Sequence, residues 1–417
     1  MTQVFSDMLY LFSCAAHGVE PEGKAFDLEE IFRQGVNQSI LPLVLVALQR
    51  LYKDKEVIIQ GGTLNSHIHN LRLMIFNNVQ RDSIIYNAVK HFEDGKLSYC
   101  VLKGDVIASL YSSPECRISG DTDIYIENEE MMKKAIKILK NHGFEFLTKN
   151  STTHHFCAYH KIAGLLELHC HLYDELFIDV WFDNLVSVTE PYRTVETYFG
   201  NKLPTLGITD GLIFVCLHFI KHFLSGGTVI RPLMDTLLYI KKYKSEIDYE
   251  RFSAILEHLK YNKFFDNMMY IGVNYLGFAE DDLYPFTCDG SVADKILTDI
   301  ESSGVFGKNE PWRKDFYLTY NKQRFDTFKS GDYTKYMKNW KRQNIFKALF
   351  PAVKNIEKKF PYLIKHRYLL PIAWLHRIMR FAAELVKKAL HITKKRDNIY
   401  TDEVKSRMDL IRELDMI

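Results

Sequence analysis

A strand, a glycine-containing turn and a second strand follow one another in residues 98–126, SYCVLKGDVIASLYSSPECRISGDTDIYI. Residues 98–102 indicate a short buried strand, and a short helical pattern follows Gly104 as far as Tyr111. After the turn residues SSPEC, residues 120–126 alternate between polar and apolar side chains. This period of two predicts a second strand of the same sheet.

The elements that follow extend this sheet. Residues 129–141, EEMMKKAIKILKN, have the apolar spacing of an amphipathic helix that ends before Gly143, and residues 144–147 form a strand beyond it. Residues 153–160 and 165–172 have the pattern of the two arms of a β-hairpin. Because strands and helices mix in this part of the chain, the sequence indicates an α+β core.

Helical patterns flank the core on both sides. Apolar residues recur at every third or fourth position from Leu28 to about Phe92. A second helical part, from Thr209 to Gly277, predicts helices at residues 211–223, 232–243, 249–259 and 265–275. We therefore expect a mixed-sheet core with N-terminal helices and a large helical C-terminal part. The predicted segments are an N-terminal helical region, the core, a helical domain and a basic helical region, at residues 1–94, 95–205, 206–310 and 311–417.

The composition of the 417-residue chain is that of a folded protein. Hydrophobic residues make up 47% and aromatic residues 13%, which excludes a mainly disordered chain. Seven cysteines, an odd number scattered singly, indicate a reducing compartment. No positively charged region precedes the first apolar residues, and the most apolar windows are short or interrupted by charges. We expect a cytoplasmic protein without a signal peptide or a transmembrane helix.

Two aspartates lie two positions apart on the second predicted strand. Because side chains of a strand alternate between its faces, Asp121 and Asp123 point the same way. Mg²⁺ takes carboxylate oxygens and keeps positions for water and substrate phosphates, so the pair fits a magnesium-nucleotide site. The alternative is a solvated strand edge that binds nothing.

Three further residues favour the metal site. Gly104 lets the backbone approach a ligand closely, Lys103 adds a positive charge, and the start of the next helix offers N–H groups to phosphate. Glu167 lies between leucines in the apolar strand LLELHCHL, where an acidic side chain needs a partner such as a metal ion.

These residues belong to a longer series of motifs. The series is Leu102-Lys103-Gly104, Arg117-x-x-x-Asp121-x-Asp123, Glu167-Leu168-His169, the helical residues His218, His222, Arg231 and Asp235, and a C-terminal run with Pro351, Pro361, Pro371, Trp374 and Arg377. The series resembles the nucleotidyltransferase superfamily related to DNA polymerase beta, and more closely a family of uncharacterised bacterial nucleotidyltransferase-like proteins. The resemblance covers most of the chain.

The resemblance implies a nucleotidyltransferase-type sheet and a Mg²⁺-dependent transferase. A nucleoside monophosphate would pass from an NTP to a hydroxyl of an unknown acceptor, with release of pyrophosphate. The implied catalytic and metal-binding residues are Asp121, Asp123 and Glu167, which would hold two Mg²⁺ ions. The implied nucleotide-binding residues are Lys103 and Gly104 at the β and γ phosphates, Arg117 at phosphate or at the acidic cluster, and His169. Glu167 would bind the second ion or take the proton of the acceptor.

Two positions depart from the superfamily pattern. Asp105 stands where a second glycine or a serine is usual, and it puts negative charge where triphosphate would approach. Glu167 stands where an aspartate is usual, although its longer side chain can still reach a metal. The first departure leaves a second hypothesis open: a non-catalytic member of the fold that binds nucleotide or a glycan precursor.

A third hypothesis is a metal-dependent hydrolase. Glu167, His169 and His171 alternate on one strand face, which suits a site of two histidines and one carboxylate. The alternative is that both histidines are partly buried imidazoles at the edge of an acidic cleft. His218 and His222, one helical turn apart, are expected to pack the helical domain against that cleft.

Arg231 and Asp235 are also one helical turn apart. We expect an ordinary ion pair between neighbouring turns of one helix. A substrate-facing Arg231 is the alternative.

The C-terminal part is strongly basic. Residues 311–400 contain 22 Lys and Arg against 6 Asp and Glu, a local net charge of +16 in a chain of net charge +2. The last predicted helix, from Pro371 to about Thr393, is amphipathic and carries Trp374. We expect it first to pack against the acidic part of the chain, and second to make peripheral contact with the inner face of a membrane. Nucleic-acid binding is less favoured, because the interleaved aromatic residues have the spacing of a helical core.

Overall fold

The computed structural model contains the strands and helices predicted around the glycine turn. The strands are β1 (Ile58–Ile59), β2 (Gly62–Thr63), β3 (Tyr99–Val101), β4 (Asp121–Ile126), β5 (Glu145–Phe146), β6 (His155–His160), β7 (Gly164–His169), β8 (Arg193–Glu196) and β9 (Lys202–Thr205). Among the described residues, the helices with both ends given are α1 (Gln3–His17), α2 (Leu28–Asn37), α3 (Leu41–Leu51), α4 (Leu64–Asp94), α5 (Asp105–Ala108), α6 (Glu129–Asn141), α7 (Ile208–Ser225), α8 (Arg231–Tyr243), α9 (Tyr249–Leu259), α10 (Asn262–Tyr275), α11 (Ala293–Ser303) and α12 (Ile399–Glu413).

The chain divides into two units. One is Met1–Tyr317 together with Asp409–Ile417, and the other is Leu318–Met408. The structure describes residues 1–53, 55–147, 155–173, 188–304, 312–313, 316–317, 319–320, 350, 360, 366–376, 378–379 and 399–417. The first unit contains the sheet and the helices α1 to α11. The finer division into four segments stays a prediction.

Strands β3 to β7 form one mixed sheet in the order β3-β4-β7-β6-β5. Strands β4 and β7 run parallel, and the other neighbours run antiparallel. In the parallel pair Asp123 is the register partner of Glu167, and Tyr125 is the register partner of His169. The predicted α+β class with a mixed sheet is confirmed, and the acidic residues of two separate strands lie side by side.

The two faces of the sheet have different environments. Ile124 and Leu166 belong to a buried core that the sheet shares with α4 and α6. Because side chains alternate along a strand, Asp121, Asp123 and Glu167 lie on the opposite face. Packing of the apolar face also fixes the register, since a shift by one residue would turn the acidic side chains into the core.

The turn after β3 requires glycine. Gly104 has φ 79° and ψ −121°, a backbone conformation that residues with a Cβ rarely adopt. The helix that follows, α5, is a single turn and ends at Ala108 rather than near Tyr111. The helix start that the sequence offers to phosphate therefore has only a small dipole behind it.

The sequence patterns alone do not predict the hairpin of β8 and β9, which is short and partly polar and contains Pro204. It lies beside β3, where the Thr205 hydroxyl donates a hydrogen bond of 2.7 Å to the carbonyl of Val101. This hairpin therefore covers one edge of the sheet.

Helix α7 is the most apolar of the long helices. Among the described residues it is the one helix with the length and composition to span a membrane, and 72% of it is buried inside the protein. Phe219 and Phe223 pack against Phe264 of α10, as expected of a core helix.

The predicted C-terminal helix is described only at residues 371–376 and 378–379, which are helical; the rest of the prediction, including Arg377, lies outside the described residues. Here Ala373 is buried in a small cluster with Phe360. Four apolar side chains at helical spacing stay exposed, namely Tyr368, Ile372, Leu375 and Met379.

Candidate active site

The acidic residues of β4 and β7 converge with a histidine on one face of the sheet. The ligand atoms of Asp123, Glu167 and His169 all lie within 4.8 Å of one another. His169 Nε2 lies 2.8 Å from Asp123 Oδ1 and 3.6 Å from Glu167 Oε2. Asp121 lies two positions before Asp123 on the same face and is more exposed. Asp123 and Glu167 thus converge as the sequence predicts, but the third member of the converging set among the described residues is His169 and not Asp121.

Lys103 lies within this cluster. Its Nζ is 3.0 Å from Asp123 Oδ2, 3.7 Å from Asp121 Oδ2 and 3.3 Å from His218 Nε2. Burial lowers the pKa of Lys103, but the charges of Asp123 and Asp121 outweigh burial and raise it above its ordinary value. The ammonium group is therefore charged, and it neutralises part of the acidic cluster.

The two adjacent carboxyl groups differ in their affinity for protons. Burial raises the pKa of Asp123, yet Lys103 and His169 outweigh burial and hold that pKa well below its ordinary value. Burial and then the charge of Asp123 raise the pKa of Glu167. A permanently ionised carboxylate beside one with a raised pKa is an arrangement that suits charge stabilisation by the first and proton transfer by the second.

Two histidines of α7 face the cluster from the other side. Their Nε2 atoms, in His218 and His222, are 3.1 Å apart. Burial, and then the charge of Lys103, lower the pKa of His218 well below its ordinary value and that of His222 to about 4. Both are neutral at physiological pH, and they pack at the cleft as expected.

A cavity of about 840 Å³ lies over the cluster. Its polar lining includes Lys103, Asp121, Asp123, Glu167 and Arg231. Its apolar lining comes mostly from α2, α3, α4 and α7 and includes Val36, Leu41, Leu45, Met74 and Leu217. A cavity of this size, with a few polar groups on an apolar wall, has the properties of a small-molecule site.

The elements that form this cavity fall within a segment that matches a known family. The family is described as uncharacterised nucleotidyltransferase, and its model matches residues 24–277, more than half of the chain. The chain belongs to this family. The match includes the glycine turn, the acidic strands and helices α7 to α10, so the resemblance to the family is confirmed for these motifs. The C-terminal run from Pro351 to Arg377 lies outside the matched residues.

A solved structure also matches this nucleotidyltransferase-family chain. It is the crystal structure of the lincosamide antibiotic adenylyltransferase LnuA with lincomycin bound, which is 17% identical and has a TM-score of 0.24. The match covers 32% of this chain and 84% of that chain. No curated protein matches.

Arg117 of the family motif lies elsewhere than expected. Its guanidinium donates from Nε to Asp235 Oδ1 at 2.8 Å and from Nη2 to Asp235 Oδ2 at 2.6 Å. Its Nη1 donates to Ser119 Oγ at 2.8 Å and to the Gly104 carbonyl at 3.3 Å. The structure therefore places Arg117 in a buried ion pair that supports the glycine turn, rather than against the acidic cluster.

This pair also corrects the expectation for Asp235. Asp235 was predicted to pair with Arg231 along one helix, which is wrong, because Arg117 takes both carboxylate oxygens from another element. The Tyr111 hydroxyl donates a further hydrogen bond of 2.7 Å to Asp235. Sequence spacing within the helix gave no sign of this more distant partner.

Asp105 points away from the cavity. Its carboxylate accepts a hydrogen bond of 2.9 Å from the Tyr86 hydroxyl of α4. Burial and then the charge of Asp105 raise the pKa of the neighbouring Asp82 to about 8. The negative charge that the sequence put in the path of triphosphate is thus directed into the protein, toward α4.

The structure adds Cys157 of β6 to the cluster. It is the register partner of Glu167, and its thiol donates to Glu167 Oε1 at 3.8 Å. Burial and then the charge of Glu167 raise the pKa of Cys157 to about 11, so the thiol stays protonated. The predicted arms, residues 153–160 and 165–172, would set Cys157 opposite Leu168. Strand β7 begins one residue earlier, at Gly164, and this shift brings Cys157 opposite Glu167.

The donor set fits one divalent ion. Ligand atoms around one Mg²⁺ lie at most about 4.2 Å apart, so small side-chain adjustments would bring Asp123, Glu167 and His169 around a single ion. Among the described residues, the converging set contains Asp123 and not His171. The hydrolase site built on Glu167, His169 and His171 is therefore not the arrangement that the fold forms.

Proposed function

We propose that this protein is a divalent-metal-dependent nucleotidyltransferase that moves a nucleoside monophosphate from an NTP to a hydroxyl of a small-molecule acceptor. The observation that carries the proposal is the convergence of Asp123, Glu167 and His169 below a cavity bordered by the glycine turn. Membership of a nucleotidyltransferase family supports the reaction class.

In the proposed reaction a bond forms between the acceptor oxygen and the α-phosphorus. The bond between that phosphorus and the bridging oxygen breaks, pyrophosphate leaves with the electron pair, and the acceptor hydroxyl loses its proton. Two developing negative charges, on the attacking and the leaving oxygens, require stabilisation.

The residues that would hold metal are Asp121, Asp123 and Glu167, with His169 as a fourth donor. We propose Mg²⁺ as the cofactor, with one ion at the converging set and a second ion that the more exposed Asp121 helps to hold. When bound, such ions supply charge stabilisation at the attacking and leaving oxygens. Asp123 contributes a carboxylate that stays ionised, because Lys103 and His169 stabilise its charge. His169 contacts both Asp123 and Glu167 and fixes their orientation.

Glu167 either binds the second ion or accepts the proton of the acceptor, and it lies partly exposed at the cavity, where both roles are within its reach. Lys103, held between Asp121 and Asp123, keeps the cluster from excessive negative charge before the nucleotide arrives. Gly104 leaves open space beside the turn, since a Cβ there would meet no atom within 4 Å.

The non-catalytic alternative loses its main support. It rested on repulsion of triphosphate by Asp105, whose carboxylate accepts from Tyr86 and does not line the cavity. The geometry therefore favours the catalytic hypothesis.

Release of pyrophosphate tests the proposal. The purified protein would be incubated with Mg²⁺, each of the four NTPs and fractions of small molecules from cell extract, and pyrophosphate would be measured. We expect one NTP and one fraction to support release, and Asp123→Asn and Glu167→Gln to lose at least about 100-fold in rate. Asp281→Asn, at an exposed residue outside the cavity, is the control. Release that is unchanged in both cluster variants would contradict the proposal.

We also propose that the protein is cytoplasmic and makes peripheral contact with the inner face of a membrane. The exposed apolar residues Ile372, Leu375 and Met379 and the basic charge of residues 311–400 support contact with an anionic lipid surface. Nucleic acid is not proposed as a partner.

A further inference from the structure

Arg231, the first residue of α8, is a cation of the cavity wall with an unused donor. Its Nη1 donates to the carbonyl of Ile118 at 2.8 Å, which holds the guanidinium near the start of β4 and hence near Asp121. Its Nε is buried and has no hydrogen-bond acceptor within the described part of the chain. A buried donor without an acceptor costs free energy, so the site gains if a ligand supplies one.

The surroundings of Arg231 disfavour its charge. Asp235, one turn along the same helix, is occupied by Arg117 through both carboxylate oxygens. Burial and then the nearby charge of Arg117 lower the pKa of Arg231. A partly buried cation beside a second cation is stabilised when an anion enters the cavity.

The lysine of the acidic cluster is already engaged. Lys103 contacts Asp121 and Asp123 within 3.7 Å, so its ammonium balances carboxylates rather than facing an incoming anion. Arg231 lines the same cavity, and its planar guanidinium presents paired N–H donors that match the oxygens of a phosphate. Arg231 is also the first residue of α8, a helix of 13 residues, so the positive end of the helix dipole lies beside it.

We propose that Arg231 forms a phosphate-binding subsite of the cavity and holds the terminal phosphates of the nucleotide beside the acidic cluster. This inference rests on the proposed function, because it names the group that receives the leaving pyrophosphate. Polyphosphate then lies between Arg231 on α8 and the metal-binding carboxylates on β4 and β7, so the sheet and the helical segment each contribute one side of the site.

The subsite is tested by titrating the full chain with inorganic tripolyphosphate in the presence of Mg²⁺ and measuring the heat of binding by calorimetry. The probe contains no nucleobase, and no acceptor is needed. We expect the wild type to bind and Arg231→Met to raise the Kd by about 10- to 100-fold, the usual contribution of a charged hydrogen bond. Arg231→Lys, which keeps the charge but loses the planar fork, should fall between the two. Lys242→Met removes an exposed charge from the same helix and should leave the Kd unchanged.

The failures of the two proposals are distinguishable. Equal tripolyphosphate binding by the wild type and Arg231→Met, or no binding by the wild type, overturns the subsite. Displacement of tripolyphosphate by citrate at equal concentration also overturns it, because the site would then prefer carboxylates. Binding that depends on Arg231 in a protein that transfers no nucleotide supports the subsite and leaves only the transferase proposal contradicted.

Discussion

The ion pair of Arg117 and Asp235 supports the glycine turn from beneath. Both side chains are almost fully buried, and Tyr111 adds a hydrogen bond to the carboxylate. We expect Arg117→Met to lower the free energy of unfolding by about 3–5 kcal/mol, because it leaves the carboxylate of Asp235 buried without its partner. Chemical denaturation followed by circular dichroism measures this.

Arg33→Met is the matched control, since Arg33 pairs with Glu30 at the surface and such pairs contribute about 0–1 kcal/mol. If the two substitutions cost the same, the buried pair does not support the turn.

We expect Asp82 to make the stability of the protein depend on pH. Burial and then Asp105 raise its pKa from 3.8 to about 8, so the folded state binds a proton more tightly than the unfolded state does. The resulting stability is fully present below about pH 4 and is lost as the pH rises through about 8. We expect Asp82→Asn, which cannot ionise, to raise the free energy of unfolding at pH 9 by at least about 2 kcal/mol relative to the wild type.

Melting temperatures of both proteins between pH 6 and 9 measure this effect. Asp94→Asn, at an exposed carboxylate near the end of the same helix, should leave the pH dependence unchanged. An identical pH profile for the wild type and Asp82→Asn would contradict the assignment.

Single residues were predictable where the pattern was local. Two aspartates on one strand must share a face, and a lone glutamate among leucines needs a partner, so Asp123 and Glu167 could be found from the sequence. The partner of Asp235 could not, because Arg117 is 118 positions away and only the packing of α8 against the turn brings them together. The direction of the Asp105 side chain depended in the same way on Tyr86 of α4.

The turn between β3 and α5 depends on one backbone conformation. Gly104 has a positive φ, and a Cβ built there would meet no atom within 4 Å. We therefore expect Gly104→Ala to cost about 1–3 kcal/mol through backbone strain and not through a steric clash. Thermal unfolding measures the loss.

Gly120→Ala tests the same change at a glycine that also has open space around it but lacks a positive φ. It should cost clearly less, and equal losses at both glycines would show that strain at Gly104 is not the cause.

Secondary-structure elements were predicted best where the periodicity was long. Helix α6 has the predicted bounds of residues 129–141, and each of the four helices expected between residues 209 and 277 is present. The sequence does not reveal the hairpin β8–β9, because each strand has four residues and its polar and apolar residues do not alternate clearly along the sequence. Its place is set by contact with β3, which no local pattern records.

The C-terminal unit combines positive charge with exposed apolar side chains. We expect the protein to bind vesicles that contain anionic lipid, because the negative lipid surface attracts the basic residues and the exposed apolar side chains enter the membrane interface. High salt should release the vesicles, because it screens this attraction. The pair of substitutions Leu375→Asp and Met379→Asp should weaken vesicle binding at least about tenfold. Sedimentation with vesicles measures it.

Val19→Asp changes an exposed apolar residue of the first unit and should have no effect. Binding that is unaltered by the C-terminal pair, or equal for neutral and anionic vesicles, would contradict membrane contact through this helix.

Asp123 and Glu167, from two parallel strands, are the residues that we propose to hold a divalent ion for a nucleotide. This proposal is tested by electron paramagnetic resonance of Mn²⁺, a stand-in for Mg²⁺, titrated into the protein with non-hydrolysable NTP analogues. We expect a bound-ion signal in the wild type and a loss of affinity of at least about tenfold in both Asp123→Asn and Glu167→Gln. Mn²⁺ binding that persists unchanged in both variants, or that never occurs in the wild type, would contradict it.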